Sequence, residues 1–265
     1  MIRLIATDLD GTLLRHDGSI SARTRKALGN AREAGIAVAF VTARPPRDVH
    51  HIADDLAITG LAVCSNGALL YDLAESRVMR QEALPTAIAL ELIGELRRSD
   101  PHFSFATEHG HKVGREDAFP VAMFDGFVHH HEPRVEPVHS LCDEDLIKIL
   151  VHHPVHEIDD LHALIRSLAG DRVAVTHSGA DFVEFGALGV SKASGLLHLA
   201  ADLGVEAHEI IAFGDMPNDI PMLRAAGRAS PSPTPTPRPG RRHRDHRHQP
   251  GRRRGEDHRD AAGLA

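Results

Sequence analysis

Short apolar runs, each cut off by a polar residue and followed by a helix-like stretch, constrain the fold of this chain more than any other feature. Residues 2–7, apolar apart from Arg3 and Thr7, run over a strand's length and stop at Asp8. Ser21 then offers an N-cap to a helix in which Leu28, Ala31 and Ala34 recur at helical spacing, with Gly35 as its stop. Residues 36–41 repeat the apolar run and lead into Thr42-Ala43-Arg44-Pro45-Pro46, where proline suits the first turn of a new helix. A third run, 61–64, ends in Ser65-Asn66-Gly67. This alternation predicts an α/β fold, with a parallel sheet and crossover helices. Ligands of such sheets bind at the carboxyl ends of the strands, and Asp8, Thr42 and Asn66 all stand at such ends.

The middle of the chain has a different rhythm. Helical stretches at 85–98 and 158–168 mix with alternating strands at 145–152 and 173–176, and a further alternating run starts at Asp181 after the turn at Ser178-Gly179. The expectation is an inserted α+β domain at 84–185, flanked by the two parts of a discontinuous core at 1–83 and 186–227. The core pattern resumes with a helix near 192–203 and a strand at 209–213 that ends in Gly214-Asp215.

Two cysteines, Cys64 and Cys142, lie far apart without C-x-x-C spacing, as in a chain kept in a reducing compartment, and they give no zinc signature. No apolar run approaches the ~18 residues of a membrane span. A cytoplasmic protein with no membrane partner is expected. The net charge of −7 conceals an asymmetry: residues 228–265 hold ten arginines against four acidic residues, which leaves −13 for the rest. An acidic body is a poor nucleic-acid binder, so such binding would fall to the basic tail alone.

Asp8, Asp10, Thr42, Lys192, Asp215 and Asp219 converge if their strands are neighbours, and each then has a task in phosphoryl transfer, which demands positioning and charge neutralisation. A carboxylate can accept a phosphoryl group as an aspartyl phosphate. A hard cation such as Mg²⁺ must then lie between two anions. A second carboxyl two residues on points the same way along an extended segment and can serve as acid and base. Thr42 offers a hydroxyl and Lys192 a point charge for phosphoryl oxygens.

The order D-L-D-G-T, V-T-A-R, G-V-S-K and G-D-M-P-N-D resembles the four motifs of the haloacid dehalogenase-like (HAD) superfamily of phosphohydrolases. The long insertion between the second and third resembles the Cof-type branch with its large α/β cap. The resemblance implies a parallel Rossmann-like core and Mg²⁺-dependent hydrolysis of a small phosphorylated metabolite, by default a sugar phosphate, with cofactor phosphates as the alternative. It implies Asp8 as nucleophile, Asp10 as general acid/base, and Thr42 and Lys192 as holders of the phosphoryl group. It also implies Mg²⁺ bound by the Asp8 carboxylate, the Asp10 backbone carbonyl and Asp215, with Asp219 supporting the metal site or Lys192. Asn66, Gly67 and Asn218 are carried over as neighbours of the substrate phosphate. Two other functions share these motifs: a phosphotransferase of the sugar phosphomutase kind, and a non-catalytic phosphate-ligand-binding protein with a basic tail.

Two features stand outside that pattern. His129-His130-His131-Glu132 and His152-His153 invite a metal reading, but adjacent histidines on a strand point to opposite faces, so a solvated cap surface is the expectation. From Arg228 the composition turns Pro/Ser/Thr-rich and then Arg/His-rich, which by itself indicates a disordered basic tail. Another explanation is an out-of-frame translation of a GC-rich gene. Residues 228–237 admit codons that, read from the third base, give Gly-Val-Ala-Val-Ala-Asn-Ala-His-Pro, similar to the superfamily's continuation. Residues 245–263 admit codons that, shifted by one base, give a segment containing Thr-Asn-Gln-Asp-Asp-Gly-Val-Ala, similar to its usual ending. On that reading a strand and a terminal helix of the core are lost from about Arg228 onward, leaving a bare sheet edge.

Overall fold

The structure is a computed structural model and describes residues 1–110, 112–121, 133–143, 145–178 and 180–231. In chain order its first elements are β1 (Leu4–Thr7), α1 (Ala22–Glu33), β2 (Ala37–Phe40), α2 (His50–Leu56), β3 (Leu61–Cys64), β4 (Leu69–Asp72) and β5 (Arg77–Gln81). Then follow α3 (Thr86–Ser99), β6 (Ser104–Glu108), β7 (Val113–Arg115), β8 (Arg134–Val135), α4 (Val138–Leu141), β9 (Lys148–His152), α5 (Ile158–Ala169), β10 (Val173–Thr176) and β11 (Val183–Ala187). The last described elements are α6 (Lys192–Asp202), β12 (Ile210–Gly214), α7 (Ile220–Ala225) and β13 (Arg228–Pro231).

The parallel sheet has the order β13-β12-β1-β2, and a bridge from Val41 to Val63 brings β3 alongside β2. It is buried on both faces because successive side chains of a strand point opposite ways. Leu4 and Ala6 of β1, with Ala39 of β2, face Leu196, Leu199 and Met222. Ile5, Val38 and Phe40 face the opposite cluster of Leu9, Leu28 and Ile52. α1 starts where expected: the Ser21 hydroxyl accepts the Thr24 N–H at 2.9 Å, satisfying one of the orphan donors of the first turn.

The second sheet, β10-β11-β9-β6-β7-β8, is antiparallel apart from its β7–β8 pair. One face carries Phe105, Ile149, Val151 and Phe185 and is covered by Leu92 and Leu96 of α3 and Leu161 and Ile165 of α5. The other holds Ala106, Leu150, Phe119 and Phe182. β11 carries this sheet to Ala187, two residues beyond the expected end of the insertion. The antiparallel β3-β4-β5 sheet was not foreseen. β5 is largely exposed and charged, so no buried alternation marks it.

The sequence expectation also ended the core sheet too early. Residues 228–231 form β13, with Ala229 opposite Ala212 and Ser230 opposite Phe213. A parallel ladder uses backbone groups alone, so residues of low strand propensity can complete it. The edge of β12 is therefore paired rather than bare. The expected disordered or out-of-frame tail beyond Pro231 lies outside the described residues, as does the run His129–His131 with Glu132.

The cap meets the core through a polar seam at the loop after β2. Arg47 grips Glu108 at the end of β6 with two hydrogen bonds of 2.7 and 2.8 Å and donates to the Gly110 carbonyl. Lys148 at the start of β9 donates to the Ala43 carbonyl and to Glu184 of β11. Asp48 is buried in this seam, and its Oδ2 has no hydrogen-bond partner. Burial pushes its carboxyl up to about 7, against the pull of Arg47. A folded-state value above the unfolded one means that stability falls as pH rises from about 4 to about 7. Asp48→Asn removes that loss. The variant should match its parent at pH 4.5 and exceed it by about 1–2 kcal/mol at pH 8 in urea denaturation. A difference that does not grow with pH would refute the assignment.

Candidate active site

β1 lies between β12 and β2, so the loops that follow these three strands converge at one edge of the sheet. Asp8 follows β1 directly and its N–H extends the ladder to the Phe213 carbonyl at 3.0 Å. Its side chain is buried, and Oδ1 accepts the ammonium of Lys192 at 2.7 Å. Lys192 is the first residue of α6, where the Ser191 capping box fixes the turn, and it is 1 % exposed. The same ammonium donates to Oδ1 of Asp219 at 2.7 Å. Asp219 Oδ2 accepts the N–H groups of Asp215 and Met216, so this carboxylate ties Lys192 to the loop after β12.

One ammonium between two buried carboxylates leaves a negative charge in a place with little water. Burial pushes Asp8 up to about 7 despite Lys192, and Asp219 adds to the push. Burial opposes the Lys192 charge, but Asp8 and Asp219 outweigh it and raise its pKa. Asp215, half-buried, is also raised, chiefly by desolvation, while a hydrogen bond from Thr12 at 2.5 Å pulls the other way.

The donor set fits a hard divalent cation. Carboxylate oxygens of Asp8, Asp215 and Asp219 lie within 4.8 Å of one another. Both Asp219 oxygens are engaged, which leaves Asp8 and Asp215 as the pair with capacity for a metal. The backbone between them is built for close approach. Gly11 has φ +82°, and a Cβ there would collide with the Asp215 carboxylate.

Asp10 is not in that cluster. Arg44 holds its carboxylate with two hydrogen bonds, Nε to Oδ2 at 2.8 Å and Nη2 to Oδ1 at 2.7 Å. This clamp was missed in the sequence, although Arg44 ends the V-T-A-R motif and stands two residues beyond Thr42. Thr42 is buried at the end of β2; its hydroxyl accepts the Arg44 N–H and its carbonyl accepts the Asn66 N–H.

Asn66 and Asn218 meet each other rather than standing free. Asn218 Nδ2 donates to Asn66 Oδ1 at 2.9 Å, and Asn66 Nδ2 donates to Glu184 of the cap at 2.5 Å. Asn218 Oδ1 is buried without a partner. Gly67, at φ +101°, has a packing reason of its own, since a Cβ would overlap the Ser191 carbonyl just before Lys192. Beside this group a cavity of about 580 Å³ opens between core and cap. Lys192 and Asn218 bound it below, and His162, Arg166, Thr176 and His177 bound it above. Asp8, Asp10 and Asp215 do not line it.

Comparison with known proteins places the fold. The haloacid dehalogenase-like hydrolase family matches residues 5–230. The HMP-PP phosphatase of Klebsiella pneumoniae (strain 342) is 28 % identical over 232 residues, covering 86 % of this chain and 83 % of that protein. The solved structure of BT1666 from Bacteroides thetaiotaomicron, a phosphatase of the HAD superfamily, superposes with a TM-score of 0.72 at 28 % identity, covering 86 % and 82 % of the two chains. The HAD subclass IIB sugar phosphatase BT4131 shares the fold, with a TM-score of 0.73 at 19 % identity over 86 % of each chain. Among the described residues no helix is long and apolar enough to cross a membrane. A family match over most of the chain, with relatives and solved neighbours that are phosphatases, identifies an enzyme of the phosphatase kind that belongs to the Cof-type haloacid dehalogenase-like hydrolases.

Proposed function

We propose that the protein is a Mg²⁺-dependent phosphatase that hydrolyses a small phosphate monoester through an aspartyl phosphate on Asp8. The observation that supports this most is the buried Asp8 carboxylate, gripped by Lys192 and facing Asp215. Asp8 attacks phosphorus, the ester P–O bond breaks, and the leaving oxygen takes a proton from Asp10. Water then attacks the phosphoryl-aspartate, Asp10 takes its proton, and inorganic phosphate leaves with Asp8 regenerated. Arg44 has to release at least one Asp10 oxygen before that residue faces a leaving group. Lys192 stays in place through both steps and carries part of the phosphoryl charge. Thr42 directs its hydroxyl at the phosphoryl oxygens. Asp8, Asp215 and the Asp10 carbonyl would hold a Mg²⁺ ion, which would supply the charge neutralisation that lets one anion approach another.

Arg166, His162 and His177 stand over the adjoining cavity, where the organic part of a substrate would extend. Its polar ceiling supports a hydrophilic metabolite, such as a sugar phosphate, a cofactor phosphate or the HMP-PP of the relatives' name, acted on in the cytoplasm. The test is phosphate release across sugar, nucleotide and cofactor phosphates and HMP-PP, with Mg²⁺ and then with EDTA. At least one compound should turn over, and chelation should abolish the release reversibly. Binding of these compounds without Mg²⁺-dependent release would favour a non-catalytic protein instead. Phosphoryl transfer that requires a second sugar would favour a mutase.

A further inference from the structure

The outer end of the cap sheet carries a second group of potential ligands, unrelated to the first. Asp100 caps the end of α3, His102 follows in the turn before β6, and His153 comes directly after β9. The pairing of Ser104 with His152 in the β6–β9 ladder brings these segments together from 48 residues apart. The opposite ends of the same two strands, at Glu108 and Lys148, contact the core. The group therefore sits a full strand length from the seam, roughly 14 Å at ~3.4 Å per residue.

We propose that Asp100, His102 and His153 form a binding site for a borderline divalent transition ion of the Zn²⁺ class. One carboxylate oxygen and one nitrogen from each imidazole lie within 4.8 Å of one another. The second sign is His153: its side chain is 4 % exposed, and its buried Nε2 lacks a well-formed hydrogen bond and faces the Asp100 carboxylate. That nitrogen stands 3.2 Å from Oδ2 of Asp100, close to the ligand–ligand edge of a tetrahedron with bonds of ~2.0–2.1 Å. Asp100 Oδ1 lies 2.7 Å from Nδ1 of His102 and accepts the His102 N–H at 2.8 Å. Phe103 packs edge-on against the His153 ring at 4.9 Å, which shields one side of the site. His156, whose ring centroid is 4.4 Å from that of His153, is a further potential donor nearby.

Two imidazoles and a carboxylate suit Zn²⁺ and its neighbours better than Mg²⁺, which prefers oxygen alone. Loading has a defined proton requirement. His153 Nδ1 accepts the Val155 N–H at 3.3 Å, so in the neutral metal-free ring the proton resides on Nε2. A metal at Nε2 takes that place, the ring proton moves to Nδ1, and the long Val155 hydrogen bond is given up to water in an exposed bend.

The experiment is a Zn²⁺ titration of the metal-stripped full chain against a chromophoric chelator, in saturating Mg²⁺, with parent, His102→Gln, Asp100→Asn and Asp215→Asn. His102 and Asp100 are solvent-accessible, so their variants should fold as the parent does, which thermal melting without metal verifies. The parent should bind one Zn²⁺ at least tenfold more tightly than His102→Gln and Asp100→Asn. Asp215→Asn should retain that equivalent. In NMR of the parent, the His153 ring should switch tautomer on Zn²⁺ addition. Equal affinity in all four proteins would assign the metal to other histidines and overturn the proposal. So would loss of that equivalent in Asp215→Asn alone, or no stoichiometric binding in the parent.

Discussion

Asp8→Asn should release phosphate at least about 10³-fold more slowly than the parent, with its fold retained. An amide oxygen is a poor nucleophile toward phosphorus, and no neighbour can replace it. Asp219 is held by Lys192 and two backbone N–H groups, and Asp10 is held by Arg44. The substitution keeps the shape of the side chain, and the amide oxygen it introduces can still accept a hydrogen bond from the Lys192 ammonium. It also removes one of two carboxylates that compete for one buried cation, so unfolding free energy should stay within about 1 kcal/mol of the parent. Single-turnover assays with the best compound from the phosphate panel measure the first quantity, and urea denaturation measures the second. Undiminished turnover in a folded Asp8→Asn protein would rule out the aspartyl-phosphate route.

The parts of this site visible in the sequence are those set by strand order. Asp8, Thr42 and Asp215 end apolar runs, and a parallel sheet must bring such ends together. Lys192 was legible only by its place in the motif order, because a lysine at a helix start is ordinarily solvated, whereas here it is among the most buried side chains. The Arg44–Asp10 clamp was hidden because it joins two loops 34 residues apart, although the guanidinium at the end of V-T-A-R was in view. The chain from Asn218 through Asn66 to Glu184 was hidden for a different reason. It crosses from core to cap, and no pattern within either one encodes the docking of the two. Asn66 and Asn218 were expected beside the substrate phosphate; their amides are engaged with each other and with the cap. The Asp100–His102–His153 group has no signature in the sequence, where only the neighbouring histidines stand out. Neighbours on a strand diverge, and the useful partner of His153 comes from another strand's approach.

Lys192→Met should cost the fold more than any other single change at the site. Removing one partner of a buried ion pair typically costs about 3–5 kcal/mol, because the remaining charge has neither water nor a counter-ion. Here two carboxylates, Asp8 and Asp219, lose their shared ammonium together. The loss should depend on pH in a definite direction. Asp8 already has a folded-state pKa of about 7, above its unfolded value, and without Lys192 it rises further. Below about pH 4 the group is protonated in both states and contributes no penalty; as pH rises toward the folded value, the unfolded state sheds its proton first and stability falls. The deficit of Lys192→Met in metal-free urea denaturation should therefore be small near pH 4 and approach its full size at pH 8. Asp8→Asn in the same background removes one of the stranded charges, so the double variant should recover roughly half of the deficit at pH 8. A deficit equal at both pH values, or no recovery in the double variant, would show that Lys192 supports the fold through packing alone. The ammonium would then be dispensable to the electrostatics on which the Asp8 reading depends.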